Sequence, residues 1–280
     1  MKNFLIVLAL LLSFSLPAFA AEKESVHDRV MRTQTIRCGY GIWAPIFMKD
    51  SNTGAMSGIF HDYMEALAKN LSLKVEWTEE TDWTSFGQAL ESGRIDGFCF
   101  AIWATGGRSR EMDFTTPIYY VPFNAYVRID DKRFDNNLAA INNKNIIIGT
   151  LDGEASNIIA ANDYPEAKTL SAPQVQGQIG PLLNLASKKV DVIFTDPDTA
   201  QDYMKHNPGK IRLVPGGSGL RVFGNTVAVK KDEYAFKAML DNGTRDLIQS
   251  GAIEKILKKY EKYPNTMYRV AKPYHDSAAQ

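Results

Sequence analysis

The sequence predicts an α/β protein of two doubly wound lobes joined by a two-strand hinge, and three observations carry that reading. Short apolar runs alternate with amphipathic helical stretches, the pattern of βαβ units on a parallel sheet. The alternation runs once, is interrupted between Pro117 and Pro122, and starts again. The 280 residues are 45% hydrophobic and 23% charged, which is enough apolar content to bury two cores.

In the first unit, Ile36 to Tyr40 reads as a strand, and Ile59, Phe60, Tyr63, Met64, Leu67 and Leu71 recur at helical spacing. Lys74 to Trp77 is strand-like, and a helix carrying Phe86, Ala89 and Leu90 stops at Gly93, a left-handed cap, before the strand Phe98 to Ile102. The second unit reads as strand Ile146 to Gly149, a helix after Glu154, a helix with Val175, Ile179, Leu182 and Leu183, and strand Val190 to Thr195. A strand at Thr226 to Val229 follows, then helices carrying Phe236, Met239 and Leu240 and Ile253, Ile256 and Leu257. The expected organisation is a first lobe of residues 21–120 plus 224–265, a second lobe of 121–223, and a loose tail at 266–280.

Lys2, the apolar run Phe4 to Leu12, and Ala18-Phe19-Ala20 read as a secretory signal peptide, residues 1–20, cut after Ala20. The run is shorter than the roughly 20 apolar residues that span a bilayer, so the mature protein is expected to be exported and soluble. Lysine plus arginine (32) equals aspartate plus glutamate (32), which argues against a nucleic-acid partner. The histidines 27, 61, 206 and 275 are scattered without metal-ligand spacing. Cys38 and Cys99 fall on the first and third strands of lobe one, neighbours in the 2-1-3 order of doubly wound sheets. A disulfide and two buried thiols both remain open there, and the thiols are favoured because free cysteine is a common core residue.

In open α/β sheets, ligands gather beyond the carboxyl ends of the strands, where helix N-termini offer free N–H groups. Those positions hold Trp43, Trp103 to Arg108, Asp152 to Glu154, and Asp196.

Ile36-Arg37-Cys38-Gly39 with Ala44-Pro45, Ser57-Gly58-Ile59-Phe60 with Asp62, Gly93-Arg94-Ile95-Asp96-Gly97, Thr105-Gly106-Gly107-Arg108, Asp113-Phe114-Thr115-Thr116-Pro117-Ile118-Tyr119 and Val190-Asp191-Val192-Ile193-Phe194-Thr195-Asp196 occur in that order. In these segments the chain resembles the polar amino-acid-binding periplasmic proteins of ABC importers, solute-binding family 3, with the type II two-lobe fold. The resemblance implies a periplasmic, monomeric binding protein that captures an amino acid or close analogue, uses no cofactor, and presents its closed complex to a membrane permease. It places Arg108 on the ligand carboxylate with help from Thr105, Asp196 on the ammonium, and Trp43 and Trp83 around the ligand side chain, with Ala101, Trp103, Gly153 and Glu154 completing the site. A guanidinium fork matches a carboxylate in bidentate geometry. Asp196 also reads as an ordinary helix N-cap before Pro197. Trp77, inside a strand, reads as core.

Trp103 departs from the pattern, and so do Glu154 and Ala155, which replace the small hydroxyl residues that usually follow Gly153. Trp103 stands where a serine or threonine commonly helps hold the carboxylate, so only its backbone N–H could serve. Glu154 would repel a carboxylate unless it meets a cationic part of the ligand, and the alternative is that it faces solvent. Two other functions share the fold: an exported dehydratase, for which Glu154 is the one candidate acid although those enzymes' catalytic glutamate falls a few positions later, in the neighbourhood of Asn157, and a ligand-sensing module.

Overall fold

The computed structural model describes residues 24–270. The expected signal peptide lies outside them. A short helix, α1 (Val26–Thr33), precedes the first strand; Ser25 caps it by accepting the Asp28 N–H. Then come β1 (Thr35–Tyr40), the small hairpin β2 (Met48–Lys49) and β3 (Met56–Ser57), α2 (Ile59–Asn70), β4 (Lys74–Glu80), α3 (Phe86–Ser92), β5 (Gly97–Trp103) and β6 (Met112–Phe114). Gly93 ends α3 with φ at 73°, the left-handed conformation expected of it. The ten-residue strand β7 (Tyr119–Arg128) carries the chain into the second half.

There it forms β8 (Ile147–Leu151), α4 (Ala155–Asp163), β9 (Lys168–Ala172), α5 (Ile179–Ala186), β10 (Val192–Thr195), α6 (Pro197–His206) and β11 (Ile211–Leu213). A second ten-residue strand, β12 (Arg221–Lys230), returns to the first half. Helices α7 (Tyr234–Gln249) and α8 (Ala252–Tyr260) and the short strand β13 (Tyr268–Arg269) close the chain.

The main sheet runs β4-β1-β5-β12-β7-β10-β8-β9. β4, β1 and β5 are parallel, as are β9, β8 and β10, so each half has the same 2-1-3 order. Each parallel triplet is flanked by a crossing strand, β12 beside β5 and β7 beside β10, both antiparallel. β7 and β12 pair with each other from Arg221 opposite Phe123 to Asn225 opposite Tyr119. These two strands are the expected hinge.

Four apolar clusters fill the halves. In the first, Ile36, Phe60, Tyr63, Leu67, Leu240 and Leu257 join β1, α2, α7 and α8, while Phe86, Phe98 and Phe100 pack on the opposite face. In the second, Ile148, Ile159 and Phe194 form one cluster and Leu182, Leu185 and Ile193 the other. Trp77 packs among core rings, edge-on to Phe47 and stacked on His61, as its place in a strand implies.

Three expectations are corrected. Cys38 and Cys99 form a disulfide, because the 2-1-3 order brings their Cα atoms to 5.3 Å, inside the range a disulfide bridges. Val175 is 92% exposed and Ile179 and Leu183 are exposed too, while Leu182 and Leu185 are buried. The helix begins at Ile179 rather than before it, so Val175 cannot set its phase. The tail is not loose from 266: Thr266 and Met267 are buried, β13 pairs with β7, and Arg269 binds Glu254 and Glu261 at 2.7 Å each. Residues 271–280 lie outside the described chain.

Candidate functional site

A cleft of about 300 Å³ opens between the two parallel triplets, at the carboxyl ends of their strands. Trp43, Trp83, Ala101, Trp103 and Arg108 line it from the first half, and Gly153, Glu154 and Asp196 from the second. Of the expected site residues, Thr105 alone is not in the lining. Its hydroxyl accepts the Arg108 backbone N–H at 3.3 Å, so it shapes the turn that carries the guanidinium.

The first half contributes rings and one cation. Trp43 follows β1, its N–H and C=O paired with Phe47, and Trp83 precedes α3 and rests against Phe98 and Phe100. Both are partly exposed, which leaves ring surface for a ligand. Arg108 follows β5; Nη1 donates to the Trp103 carbonyl at 3.3 Å and Nη2 to the Gly153 carbonyl at 3.4 Å, across the cleft. No carboxylate forms an ion pair with it among the described residues. Burial pulls its pKa down from the usual guanidinium range, with the charge of Glu154 pushing the other way. Arginine titrates so high that it keeps its charge.

The Trp103 side chain is turned away from carboxylate binding. It stacks on Phe223, with centroids 4.6 Å apart, meets Phe123 edge-on, and donates from Nε1 to Asn225 Oδ1 at 3.0 Å. The ring therefore belongs to the hinge.

The second half contributes carboxylates. After β8, Gly153 takes φ +71° so the chain can turn into α4, a conformation that a side chain strains. Glu154 caps α4: Oε2 accepts the Ser156 N–H at 2.9 Å and its hydroxyl at 2.7 Å, while Oε1 faces Gln178 Nε2 at 3.4 Å. It is 8% exposed, which overturns the solvent-facing alternative. Burial raises its pKa, opposed by the two Ser156 bonds. Asp196 caps α6, Oδ1 accepting the Thr199 N–H at 2.9 Å. The two readings of Asp196 are compatible, since it is the helix cap and also faces the cleft. Burial raises its pKa as well, opposed by Thr199.

An unoccupied helix N-terminus attracts anions. Both helix N-termini that α4 and α6 aim at the cleft already hold a carboxylate of the chain, so this side presents negative charge and the cation lies opposite.

The sequence reading missed Asp198 and Asn225. Asp198, in the first turn of α6, lines the cleft and has a buried Oδ1 without a hydrogen-bond partner. Acidic residues are so common in first helical turns that its sequence position gives no sign of this. Asn225, in β12, is 1% exposed, and its Nδ2 also lacks a partner among the described residues. The available signal was a polar residue inside an otherwise apolar crossing strand.

A scan of family models matches residues 36–263 to bacterial extracellular solute-binding proteins, family 3. A probable histidine-binding protein of Campylobacter jejuni is 28% identical over 221 residues, covering 77% of this chain and 79% of its own. The lysine/arginine/ornithine-binding periplasmic protein of Escherichia coli is 24% identical over 267 residues, covering 93% and 97%. Among solved structures, an ancestral amino-acid-binding protein described as a precursor of cyclohexadienyl dehydratase superposes with a TM-score of 0.70 at 23% identity, over 85% of this chain and all of that one. With an interlobe cleft at the strand ends and a family pattern spanning most of its length, the chain belongs to the bacterial extracellular solute-binding proteins, family 3.

Proposed function

We propose that the protein binds an amino acid in the cleft, in the periplasm, and delivers it to an ABC permease without altering it. The observation that carries this reading is the division of charge: a guanidinium free of carboxylate partners on one wall, carboxylates on the other, and Trp43 and Trp83 beside them. A zwitterion satisfies both walls at once, its carboxylate on Arg108 and its ammonium on Asp196. Because it bridges the halves, it favours the closed arrangement by its differential affinity for that state. The names of the relatives as amino-acid-binding proteins support the same ligand class.

The dehydratase reading has less support. Glu154 is held by Ser156 as a helix cap, and Asn157 donates Nδ2 to the Leu151 carbonyl at 2.8 Å. Asn157, in the neighbourhood where those enzymes' glutamate falls, is an amide and cannot serve as a general acid. Calorimetric titration with a panel of L-amino acids, alongside incubation with a prephenate-like substrate, tests the proposal. Saturable binding of an amino acid with no product formed is expected; product formation, or no binding across the panel, overturns it.

A further inference from the structure

The segment that follows α8 covers part of the cleft: Lys262, Thr266 and Met267 line it together with Tyr260, the last residue of α8, and with Asp198 and Thr199 of α6. The Thr266 hydroxyl lies within hydrogen-bonding reach of the Asp198 carboxylate. The cover is built in. β13 fixes the segment to β7, Arg269 ties it to Glu254 and Glu261, and Lys262 and Tyr263 both donate to Asp202 on α6 at 2.5 Å. Thr266 and Met267 lie beyond residues 36–263, the stretch that carries the family pattern.

Two polar groups in this part of the cleft and on the adjoining floor are left unmatched. Asp198 Oδ1 is buried without a partner, although burying an unpaired carboxylate oxygen is costly. Asn225 is 1% exposed; the Trp103 Nε1–H fixes its carboxamide by donating to Oδ1, which leaves Nδ2 as an unpartnered donor in the cleft lining. A packed wall satisfies its polar groups, whereas a wall that meets a ligand keeps some free. The charges agree. Lys262 is already engaged by Asp202, so no cation among the described residues forms an ion pair with Asp198, and Arg108 is the cation reserved for the ligand carboxylate.

We propose that this covered part of the cleft is a separate cation subsite, with Asp198 as its carboxylate, and that it takes the ammonium or guanidinium of a basic amino-acid side chain. The inference rests on the amino-acid reading above. It assigns the α-ammonium to Asp196 and the side-chain cation to Asp198, two carboxylates of one helix N-terminus serving two ends of one ligand.

The test compares isosteric pairs by calorimetry: lysine against norleucine and arginine against citrulline, on the parent and on Asp198→Asn. The parent is expected to bind the basic member of at least one pair tenfold or more tighter. Asp198→Asn is expected to remove that preference while binding the neutral member within threefold of the parent. A parent that binds both members equally, or a variant that keeps the preference, overturns the subsite and leaves the amino-acid reading standing. Equal loss of both members in Asp198→Asn, with a ligand-free melt no lower than the parent's, also overturns it, because the carboxylate would then serve the cleft as a whole. Only a parent that binds no amino acid strikes the underlying reading.

Discussion

The two halves of the molecule are built alike and finished differently. Both have a parallel triplet in 2-1-3 order, and both lock the third strand to the first with one aspartate. Asp96 accepts the Arg37 N–H at 2.6 Å and Asp191 accepts the Ile147 N–H at 2.9 Å. Two residues further along each first strand is a glycine, where a Cβ would lie 2.6 Å from Ile95 at Gly39 and 2.9 Å from Val190 at Gly149. At the opposite, carboxyl ends the likeness stops. The first half presents Trp43, Trp83 and Arg108, the second Glu154, Asp196 and Asp198. Strand order and close packing fix where the cleft lies, and the residues just past the strands fix what it binds.

The largest expected effect follows from the charge division. Arg108→Ala should weaken amino-acid binding by a factor of roughly 30 to several thousand, the loss of about 2–5 kcal/mol usual when one partner of a desolvated charge pair is removed. Asp196→Asn is the matching variant on the other wall, because asparagine caps a helix as well as aspartate does and so preserves α6. Titration with the bound amino acid and ligand-free melts decide both. Binding within threefold of the parent removes that residue from the site.

The disulfide breaks the likeness of the halves, since Cys38–Cys99 has no counterpart in the second. Cys38→Ala with Cys99→Ala should lower stability by about 2–4 kcal/mol. Hydrogen exchange should show the loss of protection concentrated in β1, β5 and α2. A uniform loss over both halves would mean that they unfold as one unit.

Asp198 gives the acidic wall a pH signature. Burial, opposed by a hydrogen bond from Thr266 and aided by the charges of Asp196, Glu261 and Asp202, pushes its pKa up to about 6 from 3.8. A carboxyl raised in the folded state stabilises most when protonated, so its contribution is fully present below about 4 and is lost as pH rises through about 6. Asp198→Asn should therefore stabilise the ligand-free protein at pH 7 by about 1–3 kcal/mol and bring no gain at pH 3.5. Denaturant melts at both pH values measure this, and an equal effect at each would contradict it.

The aromatic wall is expected to contribute least per residue. Replacing Trp43 and Trp83 together by alanine should weaken binding by about 0.5–2 kcal/mol for each ring, and ligand should change the fluorescence of the parent. Unaltered affinity in the double variant would show that the rings serve the core alone.

Much of this was legible in the sequence. Apolar periodicity located the strands and helices of the first triplet and the two inner strands of the second, because burial on a sheet imposes a period of two and on a helix 3.6; β9, exposed along all but its last residue, has no such pattern and was missed. Residues just past the strand ends supplied Trp43, Arg108, Glu154 and Asp196, since the topology sends those positions to the cleft, and the family resemblance supplied Trp83. Other features depend on groups far apart in the chain. Whether Cys38 and Cys99 bond rests on a 5.3 Å approach that spacing alone cannot set. The burial of Thr266 and Met267 follows from β13 finding an edge on β7, more than a hundred residues earlier. The state of the Asp198 carboxylate depends on that returning segment, whose Thr266 reaches it while Oδ1 stays unpartnered and Lys262 pairs with Asp202 instead. The order of apolar residues thus determined the scaffold, a property of local periodicity, while the state of each buried charge was decided by which distant groups came to surround it.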